Sequence, residues 1–326
     1  MSEVKKGARW FPHFTLAFIV VTSYSCLYTP EKWKPIYSVE FHGGTGWMWG
    51  AISYKSSDNG GNWRRLSLPH RTGRYDTAPV GHPFAIVDEK LGFCAPGGYL
   101  KMTTDGGATW RDLHRDRKFL AFPFFMLNQH WGFARDDEQG GMLGTEDGGR
   151  SWQKIEEFGY ADITHLVLSD GILYGLMSDG LYQSTDRGLS WIKLVSFDTH
   201  VEAMSLIGDC LWFVGWDGLC AAYYLKEHTL QHFPLPVEDG PLSIAGNRGM
   251  LVAVGYKGGL FVSKVTPPLW KKVDIGITDN LRDVAFAADG TAFVVGGDYD
   301  DLFTGWANRV ALKSRDCSHW EEVELP

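Results

Sequence analysis

The amino-acid sequence predicts an all-β fold built from one repeating unit of four short strands. Two observations lead to this prediction. A turn motif, Ser/Thr-x-Asp-x-Gly-x-polar-Trp, occurs four times and ends at Trp63, Trp110, Trp152 and Trp191. The segments between the copies divide into short apolar runs such as ILYGLM and GLYQS, separated by Gly, Asp or Asn. Such runs are typical of strands joined by tight turns.

Weaker copies of the motif extend the repeat to the end of the chain. Trp270 and Trp320 end two degenerate copies, and Phe233 stands where a further tryptophan is expected. Successive copies are roughly 40 to 50 residues apart, which is the period of a four-stranded propeller blade. Seven units therefore predict a single seven-bladed β-propeller over residues 37–326. Six blades is the alternative, because the fifth and last copies are the most degenerate.

The four clear copies, called boxes below, have a structural explanation that needs no ligand. Their aspartates can accept hydrogen bonds from turn amides; they are Asp58, Asp105, Asp147 and Asp186. The glycine two positions later can adopt positive φ, and each tryptophan can bury its ring between neighbouring blades. A calcium site needs several oxygen ligands, whereas each box offers one acid. A phosphate loop needs a lysine after its glycines and then a helix.

The boxes resemble the Asp-box (BNR) repeat, and the chain resembles the Asp-box β-propeller superfamily over nearly all of residues 37–326. That superfamily includes sialidases, xyloglucan-degrading enzymes, sorting-receptor ectodomains and photosystem II assembly-factor-like proteins. The resemblance implies that function lies in the loops between blades and between second and third strands. Chain length and N-terminus are closest in character to the assembly-factor-like group, which implies a scaffold, an assembly factor or an inhibitor-type binder. The group name does not imply photosynthesis.

Those loops contain three clusters of charged and aromatic residues. The candidate partner-binding residues are Arg71, Arg74, Tyr75, Arg115, Arg117, Asp298, Tyr299 and Trp306. Adjacent blades place the two arginine clusters side by side, and ring closure brings the insertion of the last unit next to them. Because interface hot spots favour Arg, Tyr and Trp, we interpret these loops as a surface that binds another protein. Solvated loops with chance charge runs are the alternative.

Enzymatic interpretations find less support. A sialidase site needs an arginine trio, a tyrosine nucleophile and an acid, but the Phe/Tyr-Arg-Ile-Pro motif of sialidases is replaced by KWKPI. A xyloglucan hydrolase needs two opposed carboxylates, for which Asp76 and Asp298 are candidates, and it uses two propellers. The sequence contains no metal-ligand spacing and no cofactor motif. We therefore predict a monomeric, non-enzymatic propeller without cofactor or metal, with a carbohydrate-active propeller as the alternative.

The N-terminus predicts export. Basic residues Lys5, Lys6 and Arg9 precede an apolar run over 14–24 that has the length of a signal-peptide core. The run ends at Ser25-Cys26, which looks like a bacterial lipoprotein processing site, although the residue three before the cysteine is serine rather than leucine. We predict a signal peptide over 1–25, lipidation of Cys26, a tether over 26–36 and a periplasmic or other extracytoplasmic, membrane-anchored location. Plain secretion and an uncleaved anchor are the alternatives.

Charge and cysteine content give two further expectations. The formal net charge of −8 argues against nucleic acid as a partner, which requires a basic surface. Four cysteines beyond Cys26 allow three disulfide pairings, and they are Cys94, Cys210, Cys220 and Cys317. Only Cys210 and Cys220, which flank one predicted hairpin, suggest a specific pair. Trp33 resembles the tryptophan of an outer strand that pairs with the last blade.

Overall fold

The chain forms seven antiparallel sheets of four strands each within the residues that the structure describes. This computed structural model describes residues 35–50, 52–66, 84–95, 99–113, 119–136, 140–155, 163–237, 240–247, 249–298 and 308–326. Each sheet is one blade of a propeller, so the seven-bladed prediction is confirmed and the six-bladed alternative is wrong. The predictions for the N-terminal segment 1–34, including Cys26 and Trp33, lie outside the described residues.

The first three blades contain twelve strands in chain order. These are β1 (Ile36–His42), β2 (Thr45–Gly50), β3 (Tyr54–Ser56), β4 (Arg64–Arg65), β5 (Phe84–Ile86), β6 (Gly92–Cys94), β7 (Lys101–Thr103), β8 (Arg111–Asp112), β9 (Phe119–Met126), β10 (Gly132–Asp136), β11 (Met142–Thr145) and β12 (Gln153–Lys154). In every blade the strands pair in sequence order. First strands of neighbouring blades such as β1 and β5 lie nearest the axis, and fourth strands form the rim.

Blades four to seven continue the same order. Their strands are β13 (His165–Ser169), β14 (Ile172–Met177), β15 (Gly180–Ser184), β16 (Ile192–Val195), β17 (Val201–Ile207), β18 (Cys210–Gly215), β19 (Cys220–Tyr224), β20 (Thr229–His232), β21 (Pro241–Asn247), β22 (Met250–Gly255), β23 (Leu260–Lys264), β24 (Lys271–Lys272), β25 (Leu281–Phe286), β26 (Ala292–Gly296), β27 (Val310–Ser314) and β28 (Glu321–Glu322). A short 3₁₀ turn at Tyr256–Gly258 is the helical element that the described chain contains.

The second strand of each blade explains the continuous apolar runs in the sequence. Strands β14, β18, β22 and β26 are buried along almost their whole length. Neighbouring blades cover both faces of each sheet, so these strands have no solvent-facing side and do not alternate polar with apolar residues. The hydrophobic core is accordingly divided into clusters that lie between consecutive blades.

The outer strands are shorter than the apolar pattern predicts. WKKVD and WEEVEL suggest strands of five or six residues, whereas β24 and β28 each contain two. Pairing resumes at a single later point, where Val273 N donates to Leu260 O and Val323 N donates to Ala311 O, both at 2.9 Å. These strands carry exposed charged side chains. A short, charged outer strand discourages edge-to-edge association with other chains. The apolar pattern of the sequence does not indicate how short the outer strand is.

Ring closure depends on side chains, because every described blade is built from consecutive strands of its own. The Phe293 ring on β26 lies 4.9 Å from the Phe41 ring and 5.9 Å from the Trp63 ring, measured between centroids. Near the axis, Asp283 accepts hydrogen bonds from Val39 N at 2.9 Å and from the Ser243 hydroxyl at 2.7 Å. One carboxylate thereby links blades six, seven and one.

A buried lysine joins blades one and two. Lys55 on β3 is only 6% exposed, and its ammonium donates to Gly106 O at 2.8 Å and to Glu89 O at 3.3 Å. The same nitrogen lies 5.0 Å from the centre of the Trp47 ring. Burial, with a smaller contribution from Arg64, lowers the pKa of Lys55. Gly106 has φ +70° and no room for a Cβ, which would lie 2.0 Å from the lysine nitrogen.

The four cysteines of the described chain are free. The suggested pairing of Cys210 with Cys220 is wrong for a geometric reason. In the β18–β19 hairpin, Cys210 lies opposite Tyr224 and Cys220 lies opposite Val214. The two cysteines therefore stand at opposite ends of the hairpin, about 13 Å apart along the strands. A disulfide requires Cα atoms within about 7 Å.

Candidate functional site

The boxes are self-contained turns. In the second box, Asp105 Oδ1 accepts from the Thr103 hydroxyl at 2.8 Å and from Thr109 N at 2.9 Å. Its Oδ2 accepts from the Thr109 hydroxyl at 2.6 Å. The Thr103 hydroxyl in turn accepts from Gly107 N at 2.8 Å, where φ is +89°. Both carboxylate oxygens are therefore engaged inside the turn, and Asp58, with Asn62 as its main donor, follows the same pattern.

The box tryptophans lock the turns to the blades. Trp63, Trp152 and Trp191 each donate Nε1 to the carbonyl of their own box glycine at 3.0 to 3.1 Å. Trp63 is buried and packs in the cluster shared by blades seven and one. Trp110 differs, because its Nε1 is buried without a hydrogen-bond partner in the part of the chain that the structure describes. In a degenerate copy the hydroxyl still accepts from a turn amide, but from one six residues later: Leu269 N donates to the Ser263 hydroxyl at 2.6 Å.

The hydrogen bonds inside the boxes predict a loss of stability in acid. Donation by the Thr109 hydroxyl and amide, and by Thr103, lowers the pKa of Asp105 to about 2. A carboxylate with a depressed folded-state pKa stabilises the fold above its ordinary pKa, and this contribution disappears as the pH falls from about 4 to about 2. We expect Asp105→Asn to lower the melting temperature at pH 7 and to match the wild type near pH 2. An equal difference at both pH values would contradict this explanation.

The boxes offer no free metal ligands. Their carboxylates are occupied by turn donors, and no group of three or more His, Cys, Asp or Glu side chains able to hold a metal occurs among the described residues. The described segments also contain no helix of the length and apolar character that a membrane crossing requires. A binding surface is therefore expected away from the boxes.

The propeller has two distinct faces. Alternating strand directions place the turns between first and second strands, and between third and fourth strands, on one side. We call this side the box face, since it carries Asp58, Asp105, Asp147 and Asp186. The other side, here the loop face, carries the turns between second and third strands and the links between blades. Of the candidate partner-binding residues, Asp298, which follows β26, lies on this side.

Asp298 is the one candidate partner-binding residue that lies within the described chain. Its Oδ2 accepts from Asn280 N at 3.0 Å, and its Oδ1 lies 3.4 Å from the Arg282 guanidinium. Arg282 also lies over the Tyr37 ring of blade one, 5.4 Å from its centre. The sequence prediction therefore missed Arg282 and Tyr37, which join Asp298 across the closing junction. The other candidates, Arg71, Arg74, Tyr75, Arg115, Arg117, Tyr299 and Trp306, lie outside the described residues.

Two exposed aromatic residues on the loop face were also missed by sequence reasoning. Trp216 and Tyr256 occupy equivalent positions in the turns between second and third strands of blades five and six. Their side chains are 54% and 39% exposed. The available signal was the pair of similar turns GWDG and GYKG, in which Asp217 and Lys257 adopt positive φ of 56° and 53°. Both sequences are typical of tight turns. The exposed aromatic residue that the two turns share did not by itself indicate a function.

The fold holds Trp216 in place. Its Nε1 donates to Glu202 Oε1 at 2.8 Å, and its ring centroid is 5.2 Å from that of His200. Glu202 sits at a bulge in β17, where the register shifts between Val201 and Ala203. Bulges re-aim side chains out of the regular alternation. With its edge nitrogen engaged and His200 beside its ring, Trp216 still has 54% of its surface exposed to solvent.

A shallow open cleft lies beside Tyr256, between blades five and six. It has a volume of about 360 Å³ and is lined by apolar and basic residues, among them Val237, Pro241, Lys257 and Lys272. Tyr256 forms part of its wall. An exposed aromatic side chain and two lysine side chains therefore stand together on this part of the loop face.

Seven four-stranded blades around one axis define this chain as a β-propeller, and its loop face carries exposed aromatic and charged side chains. No protein-family model matches the chain, and no curated protein sequence matches it. Solved structures do resemble it. The structure described as "YCF48 bound to D1 peptide" superposes with a TM-score of 0.61 at 18% identity, over 82% of this chain and 91% of that one.

Two further solved structures extend the comparison. YCF48 from Cyanidioschyzon merolae superposes with a TM-score of 0.61 at 15% identity, over 86% of this chain and 96% of that one. The GH74 enzyme of Niastella koreensis superposes with a TM-score of 0.59 at 13% identity, over 88% of this chain and 59% of that one. At these identities the likeness shows the shared fold alone, because one propeller scaffold supports unrelated functions.

Proposed function

We propose that this chain is a non-enzymatic Asp-box propeller that binds another protein through its loop face. We further propose that it is exported and anchored to a membrane by a lipid on Cys26. The observation on which the binding proposal rests is the pair of exposed aromatics, Trp216 and Tyr256, at equivalent positions of adjacent blades. Trp and Tyr are the residues most enriched in binding hot spots, together with Arg.

The local structure favours these two side chains as anchors. An aromatic ring buries a large area for the loss of only two rotatable bonds, and the hydrogen bond to Glu202 already restricts Trp216. A pre-ordered side chain loses less entropy on binding. A hot-spot aromatic contributes at least about 2 kcal/mol, which corresponds to about a 30-fold change in affinity.

The structural comparison supports a polypeptide as the bound molecule. A YCF48 propeller of similar fold and extent has been solved with a D1 peptide bound to it. That structure is an example of a propeller of similar extent with a peptide bound. We extend this mode of binding to the present chain as part of the proposal.

The carbohydrate-active alternative has weaker support on the loop face. Glycoside hydrolysis needs a carboxylic acid and a carboxylate that face each other across a cleft. Three acids described there are engaged with neighbours: Glu202 with Trp216, Asp217 with the Thr199 hydroxyl at 3.1 Å, and Asp298 with Arg282. These contacts suit fixed positions in a binding surface.

A matched pair of double variants tests the binding proposal. Trp216→Ala with Tyr256→Ala removes the loop-face aromatics, whereas Leu189→Ala with Leu269→Ala removes two side chains of the box face that are 69% and 74% exposed. We expect a partner to co-purify from native membranes with the wild type and with the leucine variant. The aromatic variant should lose it, with an affinity weakened at least about 30-fold.

Two results would overturn the proposal. Retention of the partner by the aromatic double variant would remove Trp216 and Tyr256 from the interface. Absence of any partner, combined with release of sugar from a glycan panel by the wild type, would replace protein binding with carbohydrate chemistry. Melting curves of both double variants provide the folding control, since both change exposed residues only.

A further inference from the structure

We propose a second binding site, for a neutral saccharide, in a cleft between blades six and seven at the rim of the propeller. This site is separate from the loop-face surface and goes beyond the proposed function. The cleft has a volume of about 340 Å³ and is lined by Asp274, Ile275, Leu312, Ser318, His319 and Trp320. Pockets for small ligands begin at about 300 Å³, so the cleft suits a ligand of one or two sugar units.

The last copy of the repeated motif, residues 314–320, differs from the four boxes in one functional group. In the boxes the second carboxylate oxygen accepts from an uncharged side chain, as Asp105 does from the Thr109 hydroxyl. In the last copy this oxygen faces a ring nitrogen, because His319 Nδ1 lies 2.7 Å from Asp316 Oδ2. An imidazole therefore takes the place that a hydroxyl or an amide has in the boxes.

The carboxylate of Asp316 orients His319 and leaves one ring nitrogen for a ligand. His319 Nδ1 is engaged with Asp316, whereas Nε2 has no partner among the described residues. The imidazole is 90% exposed. The hydrogen bond to Asp316 raises the pKa of His319, which favours the protonated ring. A protonated imidazole donates from both nitrogens, so His319 offers an N–H donor to a molecule in the cleft.

Asp274 supplies a hydrogen-bond acceptor from the other blade. It is exposed and follows β24, the outer strand of blade six, whereas His319 belongs to blade seven. Its Oδ1 accepts from Gly276 N at 3.0 Å. Its Oδ2 has no partner within the described ranges of the chain. A donor and an acceptor therefore reach the cleft from two different blades.

The Trp320 ring supplies apolar surface. Trp320 is half-buried and packs in the cluster shared by blades six and seven. Its Nε1 donates to Cys317 O at 3.3 Å, so the polar edge of the indole is already occupied. Ile275 and Leu312 extend the apolar lining. The C–H groups of a sugar ring can pack against such a surface through dispersion.

The charges of the cleft favour a ligand without charge. An anionic ligand would be repelled by Asp274, and a cationic ligand would be repelled by protonated His319. The hydroxyl groups of a saccharide both donate and accept hydrogen bonds, so they can pair with Asp274, with His319 and with the Ser318 hydroxyl. A neutral saccharide therefore matches the apolar lining, the donor and the acceptor at once.

The arrangement suits binding rather than cleavage. Glycoside hydrolysis needs two carboxyl groups at the scissile bond, and Asp274 is the one acid among the described residues that line the cleft. Asp316 is held in its turn by Ser318 N and His319 N, each at 2.8 Å. The Ser318 hydroxyl lies 3.4 Å from His319 Nδ1, the nitrogen that contacts Asp316, whereas a serine hydrolase uses opposite ring nitrogens for these two contacts.

Sugar binding is measured on the full chain labelled with 5-fluorotryptophan. The probes are the methyl glycosides of glucose, galactose, mannose and N-acetylglucosamine. The fluorine resonance of Trp320, identified by its absence from a Trp320→Phe variant, should shift with at least one probe at millimolar concentrations, as expected for a small ligand in an open cleft. The resonance of Trp216 on the loop face should not shift.

Two substitutions test the polar groups of the cleft. His319→Asn keeps a side-chain donor for Asp316, as Asn62 provides in the first box, but removes the second ring nitrogen. His319→Asn and Asp274→Asn should each weaken sugar binding at least about tenfold, because each removes a hydrogen bond to a charged group. Asp198→Asn changes an exposed acid that follows the outer strand of blade four, and this control should bind sugar like the wild type.

Three results would overturn the saccharide site. The first is a Trp320 resonance that none of the four glycosides shifts. The second is unchanged sugar affinity in a folded His319→Asn or Asp274→Asn variant, with folding checked by melting curves. The third is a shift with phosphocholine and with none of the glycosides, which would make a zwitterion the ligand. Trp216→Ala with Tyr256→Ala should bind sugar normally, so failure of the loop-face proposal and failure of this site are distinguishable.

Discussion

Replacing Phe293 with alanine is expected to lower the free energy of unfolding by about 3–5 kcal/mol, the usual cost of removing a fully buried phenylalanine. Phe293 is 0% exposed, and its ring contacts Phe41 and Trp63 of the first blade. It also packs against Gly60 of the first box, where a Cβ would lie 2.2 Å from the ring. Urea denaturation of the full chain measures the change.

The part of the fold that each substitution destabilises distinguishes a role of Phe293 in ring closure from a role in ordinary core packing. Phe213→Ala removes an equally buried ring within the cluster of blades four and five, so it should be similarly destabilising. Hydrogen exchange should show early loss of protection in β1 and β25 for the Phe293 variant, and in β13 and β17 for the Phe213 variant. Uniform loss of protection in both variants would contradict a closure role for Phe293.

Replacing Lys55 with alanine is expected to lower the free energy of unfolding by about 2–4 kcal/mol. The change leaves the buried carbonyl of Gly106 without its lysine donor, at about 1–3 kcal/mol, and opens a cavity beside Trp47. Part of this loss is offset because the lysine charge no longer has to be buried. Urea denaturation again provides the measurement.

An exposed lysine of the same interface provides the control for Lys55. Lys90 lies in the β5–β6 turn next to Glu89 and is exposed, so Lys90→Ala should change stability by no more than about 0.5 kcal/mol. Lys55→Met keeps most of the apolar volume but removes the hydrogen-bond donor. Its loss of stability should therefore lie between those of Lys55→Ala and Lys90→Ala. If Lys55→Ala were as stable as Lys90→Ala, the buried ammonium would not be the link between blades one and two.

The blade number could be predicted from sequence because its signals are local. The Asp, Gly and Trp of a box lie within a single turn, and their repetition counts the blades without reference to contacts between distant residues. Ring closure could not be predicted in this way. Val39 and Asp283 are 244 residues apart, and Phe293 sits in an apolar run that looks like any other second strand.

The surface that we propose for binding was indicated by the sequence only as a set of loops. The family resemblance implied the loops between blades and between second and third strands, and Asp298 lies among them. Residues whose importance depends on tertiary packing were not identified. Lys55 reads as a solvent-facing strand residue, and Arg282 gains its role from Tyr37 on β1 and from Asp298, which follows β26. Trp216 and Tyr256 stand in tight turns. The need for glycine and positive φ in such turns accounts for their sequences, so the sequences gave no separate indication of a functional surface.

The most direct test of the central claim is photo-cross-linking of the full chain in its native membranes. A benzoylphenylalanine at position 216 replaces an exposed aromatic of the loop face, and one at position 189 replaces an exposed leucine of the box face. The proposed function predicts an adduct with another protein from position 216 and none from position 189. Adducts from position 189 alone, or from neither position, would contradict it.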